Sequence, residues 1–84
     1  MQKEIYETAK EYLTENIGEL VSIGDVYYDA RQGTWNVKIL AKTPQGIVIL
    51  GEMRLDKNKN IVDAPSKEIL LSILKNKLQD DRVY

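Results

Sequence analysis

The sequence predicts an α+β two-layer domain spanning 1–84. An N-terminal helix leads into a three- to four-stranded antiparallel meander, and a C-terminal helix packs on the same sheet face. Three observations carry this expectation. Apolar residues recur at helical spacing at both ends of the chain, they alternate in the middle, and a hairpin turn separates the two longest alternating runs. Such a sheet needs one face covered, and two helices are the cover available.

The first helix is expected over 3–17. Ile5, Ala9, Tyr12, Leu13 and Ile17 recur at the spacing that lines one face, and Gly18 follows as a stop. Next, Val21 and Ile23 alternate on one parity, and Val26 and Tyr28 on the other. A bulge at Gly24 and Asp25 keeps both pairs on one face, because an extra residue re-aims a strand. In TWNVKILAK, Trp35, Val37, Ile39 and Ala41 share a face; in IVILGEMRLD, Ile47, Ile49, Met53 and Leu55 do so.

Pro44, Gln45 and Gly46 between these runs suit a three-residue loop, with Gly in the left-handed position. That loop pairs Thr43 with Ile47, Ala41 with Ile49, Val37 with Met53 and Trp35 with Leu55. It also sets Lys38 opposite Glu52, a pair of opposite charge. Ile61 and Val62 offer a short fourth strand. In DAPSKEILLSILKNKLQ, Asp63 or Ser66 caps a helix, with Pro65 tolerated in its first turn. Ile69, Leu70, Ile73, Leu74 and Leu78 form its expected buried stripe, and the polar tail 79–84 is expected to fray.

Composition narrows the chemistry. With 43% hydrophobic and 30% charged residues, the chain has the balance of an ordinary globular domain. It has 12 Lys and Arg against 13 Asp and Glu, so it lacks the basic excess that phosphate binding uses, and a nucleic-acid partner is disfavoured. Without cysteine or histidine there is no thiolate nucleophile, disulfide or Cys/His metal site, and the commonest general base is missing. The remaining carboxylates and serines are scattered, and the five glycines are isolated. No catalytic residue and no cofactor are therefore expected. The opening MQKEIYETAKEY carries charges every few residues, unlike a signal peptide or a membrane span, and predicts a cytoplasmic setting.

One stretch imitates a metal loop. In RLDKNKNIVD, Asp56, Asn58 and Asn60 alternate as the first ligands of a calcium loop do. Ile61 stands where such a loop needs Gly, and Lys67 where it needs a bidentate Glu. The expectation is a strand-to-strand turn with no metal, since Asp and Asn bond their own backbone in turns.

The uncovered sheet face supplies the candidate surface. Tyr27, Lys38 and Glu52 fall on it, and the predicted register adds Leu40 opposite Leu50 with Val48 beside them. Three aliphatics with no helix to cover them suggest a contact with a protein partner or a second copy, as in a homodimer. The rival expectation is a small-ligand-binding or enzymatic domain with a pocket between helix and sheet.

The run 7–64 resembles the PepSY-type domains, which are related in shape to cystatins. The likeness rests on a helix followed by TWNVKI, RLD, the turn KNKN, and Ile61 with Val62; family members place Gly in that turn, where this chain has Asn58 and Asn60. It implies a non-catalytic binding or inhibitory module. The chain also resembles gas vesicle protein O through Gly18, Gly33, Trp35, Val37, Leu55 and Asp56, which implies an accessory role in assembly. Thr34 intervenes between Gly33 and Trp35 here, and the segment 35–55 is shorter.

Overall fold

The computed structural model describes residues 2–80, the last three of them by backbone alone. The order is α1 (Gln2–Asn16), β1 (Ser22–Asp29), β2 (Thr34–Thr43), β3 (Gly46–Leu55), β4 (Ile61–Asp63) and α2 (Lys67–Asp80). The four strands form an antiparallel meander in the order β1-β2-β3-β4, with one face open. This is the α+β architecture that the two helical periods and the alternating centre predict.

Helix α1 buries Ile5, Ala9 and Leu13 against the sheet, with Ile17 completing the row beyond its end. The helix stops because Gly18, at φ +112, takes a backbone conformation that L side chains disfavour. The Leu13 carbonyl accepts from the N–H groups of both Ile17 and Gly18, which satisfies the last turn. The core beneath α1 holds Val37, Ile39 and Ala41 from β2 and Met53 and Leu55 from β3. Ile23 and Val26 pack against it on either side of a register shift, so the predicted bulge at Gly24 and Asp25 is present.

The β2–β3 hairpin departs from the predicted register at its tip. The loop has two residues, Pro44 and Gln45, and Thr43 pairs with Gly46 rather than Ile47. Thr43 locks it: its hydroxyl donates to the Gly46 carbonyl at 2.8 Å and accepts the Gln45 N–H at 3.2 Å. The shorter loop moves the tip by one residue, and a bulge restores the frame between Ile39 and Leu40. Trp35 still pairs with Leu55, Val37 with Met53 and Lys38 with Glu52, but Ala41 now faces Val48 and Leu40 faces Ile49. Side-chain direction alternates along a strand, so the slip exchanges faces. Leu50 is 3% exposed in the core and Val48 packs beside it, whereas Ile47 and Ile49 turn outward at 66% and 52%. The expectation that Leu50 and Val48 lie on the open face, and Ile47 and Ile49 in the core, is therefore corrected.

Helix α2 is capped by Ser66, whose hydroxyl accepts the Ile69 N–H at 3.3 Å. Asp63 is engaged elsewhere, and Pro65 precedes the cap instead of entering the first turn. The helix packs mainly on β3, so only a narrow stripe is covered: Leu70 is buried, with Ile73 and Leu74 partly so. Ile69, expected in that stripe, is 53% exposed, and Leu78 lies among the side chains outside the described set. Lys77, two turns beyond Leu70 on the same side, is exposed. The radius of gyration is 13.5 Å, against about 12 Å for a compact chain of this length. Of the expected tail, Gln79 and Asp80 belong to α2 and 81–84 lie outside the described residues.

Candidate functional site

The open face divides into a polar half and an aliphatic half. The polar half is built over the central strand. Thr34 and Asn36 alternate with core residues on β2 and are nonetheless buried, because neighbouring side chains close over them. The Thr34 hydroxyl donates to Asn36 Oδ1 at 2.9 Å, which leaves the Asn36 amide free to donate towards Tyr27 Oη at 3.3 Å and Glu52 Oε1 at 3.5 Å. The Tyr27 hydroxyl in turn donates to Glu52 Oε2 at 2.7 Å. That bond to a carboxylate pushes the Tyr27 phenol above its ordinary pKa, while the Asn36 amide acts in the opposite direction.

Arg54 closes the far side, donating to Gln32 Oε1 and to Asp63 Oδ2 at 2.9 Å. Among the described residues no buried side-chain polar atom lacks a partner. The polar half is thus self-satisfied, and its groups are committed to one another.

The aliphatic half lies towards the hairpin tip. Leu40 on β2 faces Ile49 on β3, and Ile47 continues the row opposite Lys42. Lys38 stands between the two halves, opposite Glu52 in the ladder. The expected charge pair does not close there. Among the described residues the ion pairs are Arg54 with Asp63 and Lys59 with Glu4, and Glu52 is taken by Tyr27 and Asn36. Leu40 lies along Gly24, close enough that a Cβ there would stand 2.9 Å from Leu40 Cδ1.

Of the six surface residues predicted from sequence, the structure brings Tyr27, Lys38, Leu40 and Glu52 together on the open face. Val48 and Leu50 go to the core, and Ile47 and Ile49 take their place. The sequence places Asn36 beside Tyr27 on the open face but gives no sign that it and Thr34 are buried. The available signal was two polar residues on alternate positions facing Tyr27 and Arg54 across the ladders.

The Asp56–Asn60 segment is the tight β3–β4 turn. Asp56 Oδ1 accepts the N–H groups of Asn58 at 2.8 Å and Asn60 at 2.9 Å, and Oδ2 accepts the Asn60 amide at 3.2 Å. The Asn60 backbone bond leads in holding the Asp56 carboxyl below its ordinary pKa, with the other two bonds assisting and desolvation opposing. Lys59 takes the left-handed conformation at φ +69 and reaches Glu4 at 3.2 Å. Both carboxylate oxygens are thus used by the turn itself. Among the described residues no three His, Cys, Asp or Glu side chains gather where a metal could be held. None of the described helices is long and apolar enough to cross a membrane.

Comparison with protein-family models, with curated proteins and with solved structures finds no match for this chain.

Proposed function

We propose that this domain is a non-catalytic module that binds a protein partner, or a second copy of itself, through the aliphatic half of its open sheet face. One observation carries the reading. Leu40, Ile47 and Ile49 form a row that no described helix covers, flanked by Lys38 and Lys42, which form no ion pair among the described residues. Scattered exposed aliphatics are ordinary, but a contiguous row on a sheet face next to unpaired cations suits a partner with apolar side chains ringed by carboxylates. The polar half supports this by bracing the platform, since its groups are already paired. The likeness to PepSY-type and cystatin-like domains points the same way, towards binding or inhibition; an accessory assembly role, as the gas vesicle resemblance implies, would use the same surface.

Ile49→Lys tests the reading. Ile49 is exposed, so the variant keeps the fold while placing a charge in the row. Sedimentation equilibrium and partner capture on wild type and variant should show self-association or a specific partner that Ile49→Lys loses. Unchanged association in the variant would show that the surface is wrong.

A further inference from the structure

Among the described residues the meander leaves β1, eight residues long, with no strand on its outer edge, while on the opposite side β4 pairs with β3 at Arg54 and Leu55. A free edge presents unpaired N–H and C=O groups to any strand that can reach it. One hydrogen bond fixes which groups these are. The Val26 carbonyl accepts the Gln2 side-chain amide at 2.8 Å, so it points away from β2. Within a strand the N–H and C=O of a residue point the same way and alternate from one residue to the next. The Val26 N–H and both backbone groups of Tyr28 therefore face outward too.

A groove follows this edge. Helix α1 runs antiparallel to β1 and leaves two clefts that meet at Tyr6. One, shallow and open, lies beside Gly24–Tyr27, and the other, more enclosed and of about 330 Å³, lies beside Glu19–Ile23. Tyr6 is 39% exposed at the junction. Lys3 and Lys10 stand on either side of it on the helix wall, and neither forms an ion pair among the described residues.

We propose that this groove binds an extended peptide as a fifth strand on β1, with an apolar residue over Tyr6 and a carboxylate two positions away on each side. Spacing and charge carry the specificity. At about 1.5 Å per helical residue, Lys3 and Lys10 lie roughly 4.5 and 6 Å along the axis from Tyr6. Alternate side chains of a strand are about 6.7 Å apart and point to one face. An acidic-x-apolar-x-acidic segment thus sets both carboxylates within reach of the lysines while its backbone bonds the outward groups of Val26. Asp25 and Glu19 line the strand wall, so carboxylates are favoured only on side chains pointing towards the helix. Gln2 holds the donor position that a peptide N–H would take and is the group displaced on binding.

The test uses the full-length, isotope-labelled protein and two blocked peptides, Ser-Glu-Thr-Val-Thr-Glu-Ser and its charge-reversed form Ser-Lys-Thr-Val-Thr-Lys-Ser. The Glu peptide should shift the Val26 amide and slow its exchange, and should bind about fivefold or more tightly than the Lys peptide. The double variant K3E/K10E, altered only at exposed positions, should reverse that preference. Gln2→Ala should bind the Glu peptide more tightly, because the carbonyl is no longer occupied.

Equal affinity for the two peptides, or no shift at about 5 mM, overturns the proposal. Shifts confined to Lys38, Leu40 and Ile49 would do the same and would assign the peptide to the open face. If exchange at Val26 and Tyr28 instead slows with protein concentration alone, the edge pairs with a second copy and the peptide assignment is lost. The groove and the aliphatic row involve different residues, so either can fail without the other.

Discussion

The hydroxyl of Tyr27 on β1 donates to Glu52 on β3 at 2.7 Å, although those two strands share no ladder. The bond passes over Asn36 of β2, which contacts both partners from below. It fastens the first and third strands together across the open face.

Removing that hydroxyl should loosen the face. Tyr27→Phe is expected to lower the urea midpoint and to speed amide exchange across β1. The phenol pKa is raised by folding, so its contribution is complete below the ordinary tyrosine value near pH 10 and is lost as pH rises through the folded value. Tyrosinate absorbance, compared between wild type and Tyr27→Phe, should show this phenol ionising above that ordinary value.

Asp56 gives the opposite sign. Its pKa is depressed in the fold, so its contribution is present above the ordinary aspartate value, about pH 4, and is lost as pH falls through the depressed value. Asp56→Ala should be less stable than wild type in urea at neutral pH. The gap should narrow on acidification, when the wild-type carboxylate is protonated as well.

The hairpin register makes a sharp contrast between neighbours. Leu50→Ala should cost about 2–5 kcal/mol, the range for truncating a buried leucine. Ile49→Ala should fall within about 1 kcal/mol of wild type, as exposed positions do. Chemical unfolding of the two variants decides it, and the opposite ranking would place Ile49 in the core.

Gly24 and Leu40 should behave as a coupled pair. A Cβ at Gly24 would stand 2.9 Å from Leu40 Cδ1, closer than real contacts allow, and 3.0 Å from Cγ, so the Leu40 side chain must shift. Gly24→Ala alone should destabilise by about 1 kcal/mol or more. In a Leu40→Ala background the obstruction is gone, and a double-mutant cycle should return a clearly favourable coupling.

The sequence made the element order legible because each period is long enough to declare itself. Ile5, Ala9 and Leu13 mark one helix face, and Trp35, Val37 and Ile39 mark one strand face. The bulge at Gly24 was legible for a related reason, since the hydrophobic parity changes there. The hairpin tip was not. Pro44, Gln45 and Gly46 satisfy a three-residue loop as well as a two-residue one, and the decision belongs to the Thr43 hydroxyl, which no periodicity reports. Ile69 was misplaced because a wide apolar arc on α2 meets only the narrow support of β3. The buried Thr34–Asn36 pair was hidden for a third reason: polar residues on an open strand face look solvated until their neighbours fold over them.

The run Ile47, Val48, Ile49, Leu50 is aliphatic on both parities, and one extra residue at the bulge chooses between them. Should the tip slip by a single position, Val48 and Leu50 would come out as Ile47 and Ile49 went in. Each face would trade one pair of branched hydrocarbons for another. The tip is degenerate with respect to frame: a length change in the turn alters which side chains are presented while leaving the character of the surface intact. A partner that reads shape would notice such a change, whereas one that reads only greasiness would not.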